Sequence, residues 1–532
     1  MRNVALRFVG ILAIGALAAC GSSDEETTDT GTDTATDTGT TDTGTDTETV
    51  DVVVPEAYQF ESKFEASAGE NNVSYTGQIA RHVLVTELTD YIGGLTEKID
   101  NGDVTPAAGD TLANLNFFWQ FDSDGNPEYA FGLSTGDTTP VLQANLDAIS
   151  TGKNLESKMA GEDYDVDFYG WNLGINADGT VPATPNELMQ AFFGLIDGMA
   201  ADRANGTTLT DPVGNTIESV YLNEAGHDLM QLVQKLALGG VTLSQGLGDY
   251  LFNITGKDNI EPYKGTKNHT AMEHNWDEAY GYFGAARNYA DYTDDEIAGK
   301  GGRDEWQGFN DADADGFIDL GSEYNFGNSL NAAKRDRSAS TDFTADAFSA
   351  WTRGRALIHA HVGMNFADWS ADAQADFEAQ IVAVQASWEG AVAATVVHYI
   401  NDVLGDMAKF DTDEYSYASH AKHWGELKGF ALGLQFNPWS PLHEVLPEYC
   451  YDMGTHEVTE GMSEEDCTAA GGLHTPESTG FVRLHSKIGD APVLSNNPDG
   501  MAAIMSYQGS LGTAKNVIKD AFGFSDEDVT NW

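Results

Sequence analysis

Residues 370–407 read SADAQADFEAQIVAVQASWEGAVAATVVHYINDVLGDM, and this stretch decides the fold class of the chain. Ser370 favours the position before a helix, since its side chain can accept a hydrogen bond from the first turn. Apolar side chains then recur at steps of three and four residues, which is the spacing of one helix face. They are Phe377, Ile381, Val384, Trp388 and Val392, and the pattern continues through Thr395 toward Leu404 and Met407. A helix this long with an apolar face is typical of a helical bundle.

Similar spacing predicts more helices elsewhere in the chain. Thr184-Pro185-Asn186-Glu187 is a capping box with proline at the first helical position, so a helix is expected to follow it. The other predicted helices cover residues 77–95, 227–238, 347–362 and 501–522. Alternating strand patterns are scarce, and residues 58–64 and 165–173 are the best candidates for short hairpins or extended segments. We therefore predict a mainly α protein, built as one or more helical bundles with long loops and minor β structure.

The composition limits the classes of function. The chain has 532 residues, 27 Lys and Arg against 84 Asp and Glu, and a net charge of −57. A nucleic-acid partner is excluded, because such a charge would be repelled by phosphate groups. The hydrophobic fraction of 41% is enough for a substantial folded core.

The N-terminus has the features of a bacterial lipoprotein leader. Arg2 and Arg7 precede a short apolar run at residues 8–17, which is too short for a membrane span. Leu17-Ala18-Ala19-Cys20 then resembles a lipobox, so residues 1–19 are the predicted signal peptide and Cys20 the predicted lipidation site. Gly21 follows, and the absence of Asp there favours the outer membrane. The lipid anchor would be the only contact with the membrane.

The rest of the chain divides into a tether and a folded part. Residues 20–54 contain the lipidated Cys20 and a tract rich in Thr, Asp and Gly that cannot build a core, so we predict a disordered tether. Residues 55–532 are predicted to form the helical domain. Cys450 and Cys467 are expected to pair in an oxidising compartment, with a stabilisation of about 3 kcal/mol for a short loop.

The segment 269–284, HTAMEHNWDEAYGYFG, carries two histidines and three acids on one predicted helix. Because residues three or four apart share a helix face, one row contains His269, Glu273, Asp277 and Tyr280, while His274 and Glu278 form another. Small residues continue close to the second row. We therefore expect the row of His274 and Glu278 to pack against another helix.

A second segment, 420–430, repeats part of this pattern. Both segments contain Trp-x-Glu-x-x-Gly followed by an aromatic residue, and here His423 and Glu426 share a face. One hypothesis is that His274, Glu278, His423 and Glu426 bind one transition metal, with iron, zinc or haem as the cofactor. The alternative is that each pair is a buried hydrogen bond that fixes the helix position.

Residues 310–319 match the first part of a Ca²⁺ loop. Acids at loop positions one, three and five, glycine at six and an acid at nine provide oxygen ligands for a hard cation. The acid expected at position twelve comes one residue late. The predicted calcium ligands are Asp311, Asp313, Asp315, Asp319 and Glu323. The alternative is an acidic turn without an ion.

No catalytic residue is assigned, because the motifs of nucleophilic enzymes, phosphate-binding loops, dinucleotide sites and zinc proteases are absent. An enzyme is therefore less favoured than a binding protein.

Four ordered stretches resemble a family of bacterial lipoproteins of unassigned function, best known from Bacteroidetes. They are residues 73–81, 274–282, 315–326 and 424–438, and the resemblance spans residues 55–532. Members of that family are often encoded near imelysin-like proteins, which are helical and iron-regulated. Imelysins carry Gly-x-His-x-x-Glu; His423 and Glu426 reproduce its second half, whereas Ala421 replaces the glycine.

The resemblance implies an imelysin-like helical fold and a non-enzymatic surface or periplasm-facing protein that takes part in iron, haem or other metal acquisition. Protein partners of an uptake system would then be expected. Two alternatives remain open: a metal-dependent hydrolase that uses the His-Glu helices, and an adhesion or scaffold protein stiffened by Ca²⁺.

Overall fold

The computed structural model describes residues 50–135, 139–160, 168–452 and 458–532. The predicted signal peptide, Cys20 and nearly all of the predicted tether lie outside these ranges. The described chain is mainly α-helical with small β-sheets, as the sequence predicts. None of its helices has both the length and the apolar character needed to cross a membrane.

The described helices and strands follow one another along the chain. The α-helices are α1 (Thr76–Asp100), α2 (Asp110–Trp119), α3 (Leu146–Ile149), α4 (Pro185–Ala204), α5 (Leu229–Ala237), α6 (Ala271–Phe283), α7 (Asp294–Ile297), α8 (Gly327–Asp336), α9 (Phe343–Ala360), α10 (Ala371–Met407), α11 (Tyr417–Leu434), α12 (Glu464–Ala469), α13 (Gly480–Ile488), α14 (Gly500–Phe522) and α15 (Asp528–Asn531). A π-helix, Leu238–Tyr250, continues directly from α5. The strands are β1 (Val445–Leu446), β2 (Tyr449–Tyr451), β3 (Val458–Glu460), β4 (Leu473–Thr475) and β5 (Ser478–Thr479).

Short 3-10 turns connect several of these elements, at Glu65–Ser67, Glu156–Lys158, Ile254–Gly256, Tyr263–Gly265, Tyr289–Asp291, Phe366–Asp368 and Pro441–His443.

Helix α10 is the centre of the fold. It packs against α8, α9, α11 and α14, and its residues Phe377, Val384 and Trp388 are fully buried. Ser370 caps it as predicted, because its side chain accepts a hydrogen bond from the amide of Ala373. Thr184 caps α4 in the same way through Glu187. The helical spacing of the sequence therefore located both helices correctly.

The π-helix is held between its neighbours by close backbone contacts. A Cβ at Gly239 would lie 2.3 Å from the Cα of Gly433 in α11, so neither helix could approach as closely with a larger residue at this point. A Cβ at Gly246 would lie 2.4 Å from the ring of Trp388. Helix α6 packs against the π-helix as well. These contacts place α6 and α11, the two predicted His-Glu helices, on one common element.

One of the two predicted hairpin or extended segments is confirmed. Residues 60–62 pair with residues 70–72 through the antiparallel bridge of Glu61 with Asn71, and the amide of Ser62 donates to the carbonyl of Glu70 over 2.8 Å. The described part of the second candidate, residues 168–173, contains no strand. Instead β3, β2 and β4 form an antiparallel sheet, and β1 pairs with β5. Cys450 in β2 and Cys467 in α12 are joined by a disulfide, with Cα atoms 5.4 Å apart. This bond fixes α12 against the sheet.

Candidate functional site

The acidic loop brings three of the five predicted calcium ligands together. Carboxylate oxygens of Asp311, Asp313 and Asp315 lie within 4.8 Å of one another. Gly316 has φ +91°, a left-handed conformation that glycine adopts without strain. The amide of Gly316 donates to Asp311 over 2.9 Å, so the loop folds back onto its own first carboxylate.

The other two predicted ligands are occupied by hydrogen bonds. Glu323 accepts from the amides of Ala312 (2.7 Å) and Asp319 (2.8 Å), so its carboxylate closes the base of the loop. Burial raises the pKa of Glu323. The carboxylate of Asp319 accepts from Gln143 at 2.6 Å and from the hydroxyl of Ser322 at 2.7 Å. Glu323 and Asp319 therefore shape the loop rather than point toward its three clustered acids.

Helix α6 begins after the first predicted histidine. Thr270 forms a capping box with Glu273, so His269 precedes the helix and does not extend the row that the sequence assigned to it. His274 and Glu278 lie 3.5 Å apart, and each side chain is 19% exposed. The row of His274 and Glu278 packs against another helix as the sequence predicts, because Nε2 of Gln78 in α1 donates to Glu278 over 3.0 Å, and only a small part of each side chain reaches solvent.

The other row of α6 is the buried one. Arg355 of α9 is fully buried and donates to Glu273 and Asp277, both over 2.8 Å. Tyr58 donates to Asp277, also over 2.8 Å. Burial raises the pKa of Glu273, but Arg355 and the other hydrogen-bond donors outweigh it and the net pKa falls to about 2. This network is satisfied internally and joins the N-terminal segment to α6 and α9.

The His-Glu pair of α11 is divided between two sets of partners. Nδ1 of His423 lies 2.7 Å from Oδ2 of Asp406, a hydrogen bond that raises the pKa of the histidine. Glu426 faces Lys235 of α5, with 3.6 Å between Nζ and Oε1, and Lys422, with 3.9 Å between Nζ and Oε2. His423 is therefore paired with an acid, and Glu426 with two bases.

The two predicted pairs do not meet at one point. In the described ranges, Asp311, Asp313 and Asp315 are the one group of three or more His, Cys, Asp or Glu ligand atoms within 4.8 Å of one another. His274, Glu278, His423 and Glu426 are absent from any such group. Helices α6 and α11 each pack against the π-helix, and their His-Glu pairs have separate neighbours.

A cluster of charged side chains surrounds Glu426, and we call it the Glu426 cluster. Its cations come from α5, α8 and α11, its aromatic residue from α10, and two further acids lie at its edge. The members are Glu426, Lys235, Lys334, Arg335, Lys422, Tyr399, Asp228 and Asp402. Four cations thus face three acids, whereas acids outnumber bases threefold in the whole chain.

Arg335 is the exceptional member of the Glu426 cluster. Arg335 is only 6% exposed, and its Nε and Nη1 atoms are buried with no hydrogen-bond partner. It forms no ion pair within 4.0 Å of any carboxylate in the described chain. Oε2 of Glu426 is likewise buried without a hydrogen-bond partner. A buried cation without an acceptor is costly, so Arg335 requires an explanation.

The electrostatics of the Glu426 cluster reflect this shortage of acceptors. Burial lowers the pKa of Arg335 to about 10. Burial also lowers the pKa of Lys235 to about 8, partly opposed by Glu426 and assisted by Lys334 and Lys422. The pKa of Lys334 is lowered by burial and then by Arg335. The cations are therefore held close to one another at an energetic cost.

Sequence reasoning identified His423 and Glu426 but missed the cations. Lys235 lies on a helix that the sequence predicts, yet nothing in its local pattern indicates burial. Lys334 and Arg335 are adjacent in a short helix that follows the acidic loop. The sequence signal that was available is the scarcity of basic residues in the chain. Only 27 are present, and the structure gathers four of them around one glutamate.

The fold and the site define a mainly helical protein with a partly buried, charge-rich cluster between its helices. Residues 196–438 match the family model of a domain of unknown function, DUF4856. The resemblance to a family of unassigned function is thereby confirmed, and every member of the Glu426 cluster lies inside the matched range. No curated protein and no solved structure matches the chain.

Proposed function

We propose that this chain is a non-enzymatic binding protein of the cell envelope, and that the Glu426 cluster binds an anionic ligand. The observation that carries the proposal is Arg335, a buried guanidinium with two nitrogens that lack an acceptor. Retention by a lipid at Cys20 in the outer membrane is part of the same proposal and rests on the leader sequence.

An anion would supply what the Glu426 cluster lacks. Carboxylate and phosphate oxygens accept charge-assisted hydrogen bonds from arginine and lysine, and these bonds are stronger than neutral ones. Within a partly buried site the attraction is less screened than at the surface. Tyr399 stacks on Phe430 at 6.0 Å, and Lys235 lies 5.6 Å above the same Phe430 ring. The ammonium group of Lys235 therefore packs over a pair of stacked aromatic rings.

The iron-uptake role implied by the family resemblance is compatible with this ligand class. Haem carries carboxylates, and ferric ions are commonly transported as complexes with polycarboxylates. In such a role the iron would be bound by the ligand, and the protein would bind the carboxylate groups of that ligand. Protein partners of an uptake system would then receive the ligand from this chain.

The hydrolase alternative is less well supported by the geometry. A catalytic zinc or iron site needs about three protein ligands that converge on one position. His423 is engaged by Asp406, and Glu426 stands between Lys235 and Lys422, an arrangement that favours ionic binding. The calcium-stiffened scaffold alternative rests on the loop of Asp311, Asp313 and Asp315 and concerns a different part of the chain.

Calorimetric titration of the purified full chain with citrate, phosphate and haem tests the proposal. We expect at least one anion to bind, and Arg335→Met and Lys235→Met to weaken that binding by about tenfold or more. Arg353→Met is the matched control, because Arg353 is a surface residue of α9 paired with Asp376.

Two results would contradict the proposal: no binding of any of the three anions at millimolar concentration, or equal affinity in the wild type and in Arg335→Met. Unfolding curves of each variant would be measured in parallel. A variant that unfolds like the wild type and no longer binds would show that the loss belongs to the site.

A further inference from the structure

We infer that the chain has a second binding site for anionic groups, formed around Glu278 at the contact between α1 and α6. The choice of ligand class rests on the proposed function of the Glu426 cluster. The second site, the Glu278 cluster, consists of Glu278, His274, Arg81, Lys153, Lys158, Lys264, Tyr250, Tyr282 and Asp249. It shares no residue with the first.

The two sites are built on the same local pattern. Trp276-x-Glu278 in α6 and Trp424-x-Glu426 in α11 are each followed by a glycine and an aromatic residue, and both tryptophans are fully buried. The structure adds that the tryptophan anchors each helix, since Nε1 of Trp276 donates to the carbonyl of Trp351 and Nε1 of Trp424 to Tyr507.

The glycine of each pattern allows its helix to pack closely against a neighbouring element. A Cβ at Gly281 would lie 2.6 Å from Cβ of Tyr75, at the start of α1. A Cβ at Gly429 would lie 2.5 Å from Cβ of Lys235 in α5. Each helix therefore closes on a neighbouring helix at its glycine.

In both places a side chain of the neighbouring helix contacts the glutamate. Nε2 of Gln78 in α1 donates to Glu278 over 3.0 Å. Nζ of Lys235 in α5 lies 3.6 Å from Glu426. The pairs α1 with α6 and α5 with α11 thus present a glutamate in equivalent ways.

Cations also gather around Glu278, against the acidity of the chain. The side chain of Lys153 lies across Gly77, where a Cβ would be 2.8 Å from its Cε, and Arg81 donates to the carbonyl of the same glycine. Burial lowers the pKa of Lys153, and Arg81, Lys158 and Lys264 act in the same direction. Four cations and two acids, Glu278 and Asp249, thus lie within electrostatic range of this site.

A buried polar atom without a partner lies at this second site as well. Nδ1 of His274 is buried with no hydrogen-bond partner, and the hydroxyl of Tyr282 is buried beside Arg81 and Glu278. Tyr250 and Tyr282 lie with ring centroids 5.9 Å apart, and Lys158 lies 5.7 Å above the Tyr250 ring. A hydroxyl, an imidazole nitrogen and several ammonium groups are therefore in place to contact an anion.

The number of citrate molecules bound per full chain tests the inference. We expect two in the wild type, one in Lys153→Met, one in Arg335→Met and none in the double variant. Lys98→Met is the matched control, since Lys98 is an exposed lysine at the other end of α1. Glu278→Gln should strengthen binding at the second site by about tenfold, because it removes a repulsive charge and retains an acceptor for Gln78.

The outcomes separate the two proposals. One bound citrate in the wild type that is lost in Arg335→Met and unchanged in Lys153→Met and Glu278→Gln would overturn the second site and leave the first intact. Binding that survives in Arg335→Met and disappears in Lys153→Met would do the reverse. Two bound citrates in both single variants would contradict both sites.

Discussion

Nε of Arg355 lies 2.8 Å from Oδ1 of Asp277, and this ion pair joins α9 to α6 in the interior of the protein. Arg335 in α8 is almost as deeply buried, yet it forms no such pair in the described chain. A buried cation with its acceptors holds elements together, whereas a buried cation without them lowers stability. The two arginines therefore predict opposite results when each is replaced.

Arg355→Met should lower the free energy of unfolding by about 3–5 kcal/mol, because Glu273 and Asp277 would be left as buried charges. Arg335→Met should leave it unchanged or raise it, because a residue of similar size replaces an unpaired charge. Denaturant titration at pH 7 measures both. Arg353→Met, which breaks an exposed pair, is expected to cost about 1 kcal/mol or less. A loss in Arg335→Met as large as that in Arg355→Met would contradict the functional interpretation of Arg335.

Anion binding at the Glu426 cluster should weaken as the pH rises through about 8, where Lys235 loses its proton. The charged groups that act on this ammonium group are Glu426, Lys334, Lys422 and Asp228. Glu426 and Asp228 raise the pKa of Lys235, but burial and the two neighbouring lysines keep it below the usual value for lysine. Loss of one charge should reduce affinity by about tenfold between pH 7 and 9.

The check is to titrate citrate into wild-type protein and Lys235→Met across this pH range. The variant should bind more weakly at pH 7 and show a flatter profile. Lys515→Met serves as the control, since Lys515 is a half-buried lysine of α14 bound to Asn401. Identical pH profiles in the wild type and Lys235→Met would argue against a role for this lysine.

The buried carboxyl group of Glu389 in α10 should make the free energy of unfolding decrease as the pH rises from about 4.5 to about 8. Burial raises its pKa to about 8, although Asn437 donates a hydrogen bond to it over 2.6 Å. In this window the folded state keeps the proton and the unfolded state releases it, so stability decreases as the pH rises, by about 1.4 kcal/mol per unit at most.

Glu389→Gln should remove this contribution, so its stability relative to the wild type should grow from pH 4.5 to pH 8. Thermal unfolding in a series of buffers provides the measurement. Glu378→Gln, an exposed position on the same helix, is the control. A constant difference between Glu389→Gln and the wild type at every pH would show that Glu389 is ionised in the folded protein.

Calcium at millimolar concentration should raise the unfolding temperature of the wild type but not of Asp313→Ala. Three carboxylates of the loop converge within 4.8 Å, and hard cations prefer such oxygen ligands. Asp304→Ala, an exposed acid of a nearby loop, should respond like the wild type. If Ca²⁺ and Mg²⁺ both leave the wild type unchanged, the loop is an acidic turn without a specific ion.

Local patterns were sufficient for much of the fold. The caps at Ser370 and Thr184 and the spacing of Phe377, Val384 and Trp388 depend on residues within a few positions of one another, so the helices could be predicted. The capping box at Thr270 has the same local character, but the sequence interpretation extended that helix back to His269. The strands between residues 445 and 479 were missed, because very short strands gain their stability from pairing with other segments and, here, from a disulfide.

The sequence by itself determined the helical class, the acidic surface, the calcium-like loop and the repeated Trp-x-Glu-x-x-Gly pattern. Only the tertiary structure decided which groups meet. It paired Glu273 and Asp277 with Arg355, separated the two His-Glu pairs, and brought Lys334 and Arg335 within electrostatic range of Glu426. The reason is that helix periodicity defines which face of a helix a side chain occupies, whereas burial and electrostatic contact depend on which helix packs against that face.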